Sequence, residues 1–503
     1  MKKKILFLYP NTANKPAITL SIPIFSGIAK KHNWEMYYFD TTFYQREQDS
    51  IEDKEKTGGF LPVHGKKNKE KRTNEQLISD LQNTIDNINP DILCITVMSC
   101  EFEYLMTFFS KIKISNETIV AIGGVHCILL PEETIDKKMF DLVCIGQGES
   151  VFDEMLNRSE NNEELDSICG TYFRDRKTGT ITRNEKRKLL PPNELWKIDK
   201  DYSLYGDEYF THPFDGQMKR IFWMEVARGC PWKCTYCGNS AIRQCYKGLG
   251  KYICNRPLES VFKDFKTAVE DYNVDIFNFT AECFLFQPIK RLKEFANLYA
   301  KQVKKPFLIQ TRSETINEET LGILKLFGAP FFQVGMGVES GSERILNEIC
   351  KRKTDINDVI RGYDLLNTHN IRSNAYFMIG FPTETREEIF KTIELCKRIN
   401  AHINCVSIFQ PLPGVPLTQM CIDSGYISGN ETMETFTSTS VLKMPHISSE
   451  EISNLRRVFL LYAKLPKEYY NDIEKCEYDY DNNKELFDRL VSLRWQYDRK
   501  WKK

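Results

Sequence analysis

Residues 229–238 read Gly229-Cys-Pro-Trp-Lys-Cys-Thr-Tyr-Cys-Gly238. Cys230, Cys234 and Cys237 thus stand on one short loop at a Cys-x3-Cys-x2-Cys spacing. Iron–sulfur clusters are as a rule held by four Cys thiolates, so three on one loop leave a [4Fe–4S] cluster with one iron open to a small-molecule chelator. An open iron implies chemistry. Zinc competes for such residues, but structural zinc sites are closed and built from paired Cys-x2-Cys or Cys/His elements, and no nearby His completes this trio. The third reading is three unrelated core thiols in a chain with 16 Cys.

The segment before the loop, Phe222-Trp-Met-Glu-Val-Ala-Arg228, is the first of six strand-like runs over residues 216–425. They are Phe222–Ala227, Asp275–Phe279, Phe307–Thr311, Phe332–Val338, Asn374–Ile379 and Cys405–Phe409, separated by helix-length segments. One of these places Val261, Phe265, Ala268 and Val269 on one face; another opens with the capping box Thr385-x-x-Glu388. Six strand–helix units with right-handed crossovers predict a partial barrel with its active site at the strands' C-terminal ends.

The thiol loop, at the end of a strand and with aromatic Tyr236 before its last Cys, resembles the cluster loop of radical S-adenosylmethionine enzymes. The resemblance implies a partial (β/α)6 barrel. It implies that the amino and carboxylate groups of S-adenosylmethionine occupy the open iron, and that one-electron reduction cleaves the cofactor to a radical that abstracts hydrogen from substrate. Thr280-Ala-Glu-Cys-Phe284 stands where many of these enzymes carry Gly-Gly-Glu, so Glu282 is the residue carried over for the cofactor's amino group. Gly335-Met-Gly-Val-Glu-Ser-Gly341 resembles the ribose-contacting segment, with Glu339 and Ser340 as candidates. Tyr376-Phe-Met-Ile-Gly-Phe-Pro382 and Gln410-Pro-Leu-Pro-Gly-Val-Pro416 resemble the segments that bracket the adenine, with Met378 as candidate and at least one of Phe377 and Met378 expected in the core. Arg312, at the end of the third strand, is a candidate partner for the methionine carboxylate.

Residues 1–155 show the same alternation in shorter units: Ile5–Tyr9, Glu35–Asp40, Asp91–Ser99, Thr118–Gly123 and Asp141–Ile145 are buried in character. They predict a doubly wound parallel sheet, in which ligands bind beyond the strands' carboxyl ends. Those ends carry Asn11, Thr12, Ser99, Gly123, Gly124, Gly146, Gly148 and Glu149. Joined to a cluster barrel, Gly123-Gly-Val-His126, Pro131-Glu-Glu133 and Asp141-Leu-Val-Cys-Ile-Gly-Gln-Gly-Glu149 resemble the cobalamin domain of cobalamin-dependent radical S-adenosylmethionine proteins. The resemblance implies cobalamin contacts from these residues and from His126; the Asp-x-His-x-x-Gly motif that ligates cobalt in other cobalamin domains is absent. Residues 45–75 form a charged interruption that contains His64 and Lys66-Lys-Asn-Lys-Glu-Lys-Arg72, read as a solvated loop or a lid. Residues 156–215 read as a linker with a small hairpin, Ile168–Arg174 and Thr180–Arg183, and residues 426–503 as a small helical domain after Ser448-x-x-Glu451.

Lys plus Arg and Asp plus Glu both total 69, so no global field draws nucleic acid or anionic membrane. No apolar run approaches a membrane span, and Ile5–Tyr9 stops at Pro10, short of a signal-peptide core. Scattered thiols such as Cys94, Cys144 and Cys405 fit a reducing cytoplasm rather than a disulfide framework. The leading expectation is a cobalamin-dependent radical enzyme with a [4Fe–4S] cluster and S-adenosylmethionine, methylating an unactivated carbon of a small molecule or peptide, and served by an external reductant of flavodoxin or ferredoxin type. Three rivals remain: the same parts used in radical cyclisation or rearrangement, a first domain degenerated to a docking module, and a non-enzymatic iron–sulfur protein.

Overall fold

The computed structural model describes residues 2–13, 15–45, 57–59, 71–429, 431 and 436–498. His64 and most of the charged interruption lie outside the described residues. The first sheet has five parallel strands, β1 (Lys4–Tyr9), β2 (Glu35–Asp40), β3 (Ile92–Thr96), β4 (Ile119–Gly123) and β5 (Leu142–Cys144), in the order β2-β1-β3-β4-β5. Alternation sorts their side chains. Phe7, Cys94, Ala121 and Leu142 face the helices Ser21–Lys31 and Gly148–Glu160, whereas Leu8, Leu93, Ile95 and Val120 face Asn74–Ile88 and Ser99–Phe109. Both faces are covered, as a parallel sheet requires.

Two expectations are corrected here. The hairpin β6 (Thr171–Arg174) and β7 (Ile181–Arg183) is the antiparallel margin of this sheet rather than part of a linker: Val143 pairs with Tyr172, so the sheet runs well past residue 155. The third strand stops at Thr96, and Ser99 opens a helix. Buried Glu101 causes the break, since its carboxylate accepts from the Met98 amide (2.7 Å) and the Tyr9 hydroxyl (2.7 Å) and so caps the new helix.

The second sheet curls from β8 (Thr211–Phe214) through β9 (Gln217–Glu225), β12 (Ile276–Thr280), β13 (Phe307–Thr311), β14 (Phe332–Glu339) and β15 (Arg372–Ile379) to β16 (Ile403–Ile408). The six strands from β9 to β16 are mutually parallel; β8 is antiparallel to β9. A two-stranded ribbon, β10 (Ala227–Arg228) and β11 (Cys254–Asn255), flanks the thiol loop. Outward residues make a dense aromatic layer, with Phe277, Phe279 and Phe307 against Phe265, Phe295, Tyr299 and Phe327. Inward positions mix polar or small residues such as Asn278, Gln310 and Gly335 with the larger Trp223, Leu308 and Tyr376.

The last helices, Ser449–Lys464, Tyr470–Tyr478 and Lys484–Tyr497, pack on the barrel: Phe459 lies on Phe377 and Tyr462 on Phe390, within the same core. They also clamp residues 57–59 along the free edge of β16. Arg494 donates to the Gly58 carbonyl (3.0 Å), and a Cβ on Gly59 would stand 2.4 Å from the Asn404 carbonyl oxygen. Among the described residues no helix is long and apolar enough to cross a membrane.

Glu384, fully buried beyond β15, accepts from the Gly380 (2.7 Å) and Phe381 (3.2 Å) amides. Burial nevertheless pushes its pKa up to about 8. The folded chain thus keeps a proton that the unfolded chain releases at an ordinary carboxylate pKa. The stability that this supplies is complete below about pH 4 and is lost as pH rises through the folded value, at up to about 1.4 kcal/mol per pH unit. The melting temperature is expected to fall between about pH 5 and pH 8, with Glu384→Gln flattening the profile.

Candidate active site

The thiol loop leaves β9 through β10 and turns at Gly229, whose φ of +86° puts a hypothetical Cβ 2.7 Å from the Tyr252 carbonyl oxygen. Only glycine fits there. Cys234 is buried, and Cys230 and Cys237 are half-buried. Burial and the neighbouring thiols raise Cys230 to about 11, and burial raises Cys237 as well. Loading metal onto such thiols releases protons. Among the described residues no three Cys, His, Asp or Glu groups converge on a single metal-ion position.

Arg312 lies beneath the loop, 6% exposed, with its guanidinium 4.7 Å from the Trp232 ring centre and Nη1 3.8 Å from Cys234 Sγ. Its other donors go to Glu314 (2.5 and 3.1 Å), the Arg352 carbonyl (2.9 Å) and Thr354 Oγ1 (2.9 Å). Through these contacts it braces the loop.

Arg352, missed in the sequence, is the cation at the heart of the site. It donates to Tyr236 Oη (2.8 Å), Glu339 Oε1 (3.2 Å) and the Gly337 carbonyl (2.6 Å). Lys351-Arg352-Lys353 reads as a solvated charge run, and only the fold turns its middle member inward. Glu339 holds φ at +67°, a conformation uncommon outside glycine and one that marks sites where geometry matters. Glu282 lines the open concavity above β12; the surrounding walls desolvate its carboxyl and raise its pKa, against the opposing Gly229 amide. Met378 is partly exposed on the inward face of β15, whereas Phe377 is core. Ser340 is fully buried and bonded to Glu384, Thr392 and the Ser342 amide, which corrects its expected contact with a ribose.

At the first sheet, a cavity of about 300 Å³ opens between the strand ends and the helices Ser21–Lys31 and Gly148–Glu160. Phe25, Ile24, Ala121, Leu142 and Phe152 make it apolar; Gly123, Gly124, Gly146 and Gly148 form its lip. Several expected polar contacts are taken by the protein. Asn11 bonds Thr42 and the Lys15 carbonyl, and Thr12 is buried against Cys100. Ser99 bonds His126 Nδ1, and His126, stacked on Phe102 at 3.9 Å, is held neutral by burial, its pKa down at about 4. Gly124 serves the fold: with φ at +106°, a side chain would strike the Val97 backbone.

Glu149 is likewise occupied, by Arg228 of the barrel (2.6 Å), which also bonds Glu225 Oε1 (2.5 Å) and stacks on Trp196. Arg228 lines the apolar cavity and stands two residues before Cys230. The cavity and the thiol loop therefore meet at one side chain. Arg228→Met leaves two carboxylates without their partner and is expected to cost about 3 kcal/mol, read as a lowered denaturant midpoint with an unchanged slope.

Residues 224–396 match the model of the radical SAM superfamily, and this stretch carries the three-thiol loop on the partial barrel. The chain as a whole also has similar relatives. It is 27% identical over 402 residues to an uncharacterized methyltransferase of Pyrococcus horikoshii, covering 78% of this chain and 83% of that protein. It is 23% identical over 426 residues to an anaerobic magnesium-protoporphyrin IX monomethyl ester cyclase of Rubrivivax gelatinosus, covering 81% and 72%. In fold it is similar to the radical S-adenosylmethionine methyltransferase TsrM of Kitasatospora setae, solved with cobalamin and a [4Fe–4S] cluster (TM-score 0.60, 14% identity, 84% and 78% covered). The cobalamin-dependent S-adenosylmethionine radical enzyme OxsB, solved with aqua-cobalamin and S-adenosylmethionine, matches 99% of this chain and 72% of its own (TM-score 0.61, 14% identity). Both layers of the fold are thus matched by these two solved structures.

Proposed function

We propose that the chain holds a [4Fe–4S] cluster on Cys230, Cys234 and Cys237, S-adenosylmethionine beside Tyr236, Glu282, Glu339 and Met378, and cobalamin over Gly123, Gly146 and Gly148, and that it methylates an unactivated carbon of a small molecule. The observation that carries this is Arg228, shared by the apolar cavity and the start of the thiol loop. The cavity's flat, apolar walls suit the aromatic base of the cobalamin tail, and with His126 buried the loop offers cobalt no imidazole. When bound, the cluster and S-adenosylmethionine supply hydrogen abstraction, and cobalamin supplies a transferable methyl group. The protein's own share is positioning: the Glu149–Arg228–Glu225 bridge fixes the distance between the two layers, and Arg352 orients Tyr236 and Glu339. All 16 cysteines are free, which suits a reducing cytoplasm and an external one-electron donor.

The test is anaerobic reconstitution with iron, sulfide and hydroxocobalamin, then turnover with methyl-labelled S-adenosylmethionine in a small-molecule extract. Label in a carbon-bound product, with deoxyadenosine and S-adenosylhomocysteine formed together, is the expected result. Deoxyadenosine with an unlabelled product would move the reading to radical cyclisation, the chemistry in the name of the Rubrivivax relative.

A further inference from the structure

The thiol loop carries an aromatic pair that the chemistry above does not use. Trp232 and Phe286 meet edge to face at 5.0 Å, with Trp232 half-buried and Phe286 51% exposed. Four lysines stand on the segments that meet this pair. Lys233 follows Trp232 in the loop, and Lys290 lies one helical turn past Phe286. Lys351 and Lys353 flank Arg352, whose carbonyl accepts from the same Arg312 that stacks on Trp232. Thr235 ties the loop to that basic segment again, its amide and hydroxyl donating to the Cys350 and Ile349 carbonyls (3.0 and 2.7 Å). All four lysines are exposed, and none makes an ion pair among the described residues. The exposed acids on the same segments are Glu348 and Asp355. A chain whose charges balance at 69 of each sign thus has a local positive surplus around exposed aromatic surface.

The pair is also connected to the loop's thiols. Trp232 stacks on the Arg312 guanidinium at 4.7 Å, and Arg312 Nη1 donates to Cys234 Sγ at 3.8 Å. Two contacts therefore separate the aromatic surface from a sulfur that, on the reading above, ligates the cluster. Hydrogen bonds to cluster sulfurs are among the groups that set a cluster's reduction potential.

We propose that this face docks the reductant, an acidic one-electron carrier protein, with Trp232 and Phe286 at the centre of the contact and Lys233, Lys290, Lys351 and Lys353 around it. The proposal rests on the radical-enzyme reading above and deepens it. An aromatic centre within a charged rim is how protein interfaces are built, and complementary charge steers encounter. One electron leaves the reduced carrier, which departs oxidised by one electron, and enters the cluster; no atom or proton changes hands. A small anion would have no use for the aromatic pair, and a second copy of this face would bring lysine against lysine.

The test is stopped-flow reduction of the anaerobically reconstituted protein by a bacterial flavodoxin in its hydroquinone form, with binding of the same flavodoxin measured separately. In the parent the second-order rate is expected to fall steeply as salt is raised. The triple variant Lys233→Glu/Lys351→Glu/Lys353→Glu should lower the low-salt rate about tenfold or more, and Phe286→Ala should weaken flavodoxin binding roughly tenfold. Lys266→Glu/Lys301→Glu, exposed positions on the helices Leu258–Tyr272 and Ile289–Gln302, should leave the rate near the parent value, which separates the patch from net charge. Deoxyadenosine formed with excess dithionite should be the same in every variant. A salt-independent rate, a triple variant that reacts like the parent, equal loss in the control pair, or a matching loss with dithionite would overturn the assignment. Parent protein that forms deoxyadenosine with dithionite but whose flavodoxin reaction ignores these residues defeats only this inference; parent protein that never forms it defeats the radical reading.

Discussion

Alanine in place of Cys230, Cys234 or Cys237 is expected to reduce deoxyadenosine formation to background in each variant separately, together with loss of the iron–sulfur absorbance. The spacing supplies three ligands and no fourth, so no spare thiol can substitute. Cys283 is one other thiol beside the loop, since it contributes to the raised pKa of Cys230. It is buried and bonded to Thr311 (3.2 Å). Cys283→Ala is therefore expected to retain the cluster. Any loop variant with full iron content and undiminished cleavage would remove the cluster assignment.

A bulky residue at the lip of the first cavity should separate the two layers chemically. Gly146 is the position for it. A Cβ there meets only Tyr246, at 3.7 Å, so Gly146→Leu enters the cavity without striking backbone. Overpacking of this kind costs about 1–3 kcal/mol, or roughly ten- to a hundredfold in corrin affinity, while iron content stays at the parent level. Gly124, the obvious target from the sequence, is the wrong one, because a side chain there collides with Val97 and tests folding instead. Equal corrin retention by Gly146→Leu and the parent, or a parent that never retains corrin, would count against cobalamin at this edge.

What could be read from the sequence was what depends on local pattern. Buried runs such as Ile5–Tyr9 and Phe307–Thr311 sit in the strands β1 and β13, and Thr385 and Glu388 form the capping box their spacing announces. What could not be read depends on partners far along the chain. Glu149 looks like a strand-end ligand until Arg228, 79 residues later, takes it. Asn11 and Ser340 are polar residues at strand ends whose hydrogen bonds are consumed by Thr42 and Thr392. Arg312 and Arg352 are placed by distant partners too: Glu314 and Thr354 bond the first, and the second turns inward to Glu339 from a run of three basic residues.

The clamp on β16 bears on how the molecule assembles. A partial barrel has a bare margin, and here that margin is sealed by residues 57–59, themselves gripped by Arg494, a hydrogen bond that spans 436 positions of chain. Contacts this distant in sequence are slow to form, because the closure entropy falls due before the contact stabilises anything. Until they form, the edge of β16 offers unpaired amides and carbonyls to any neighbouring chain. During synthesis the barrel strands emerge well before Arg494 does, so the nascent chain carries an unsealed edge until its last helix is made, and a version ending before that helix is expected to self-associate even with every cofactor contact intact.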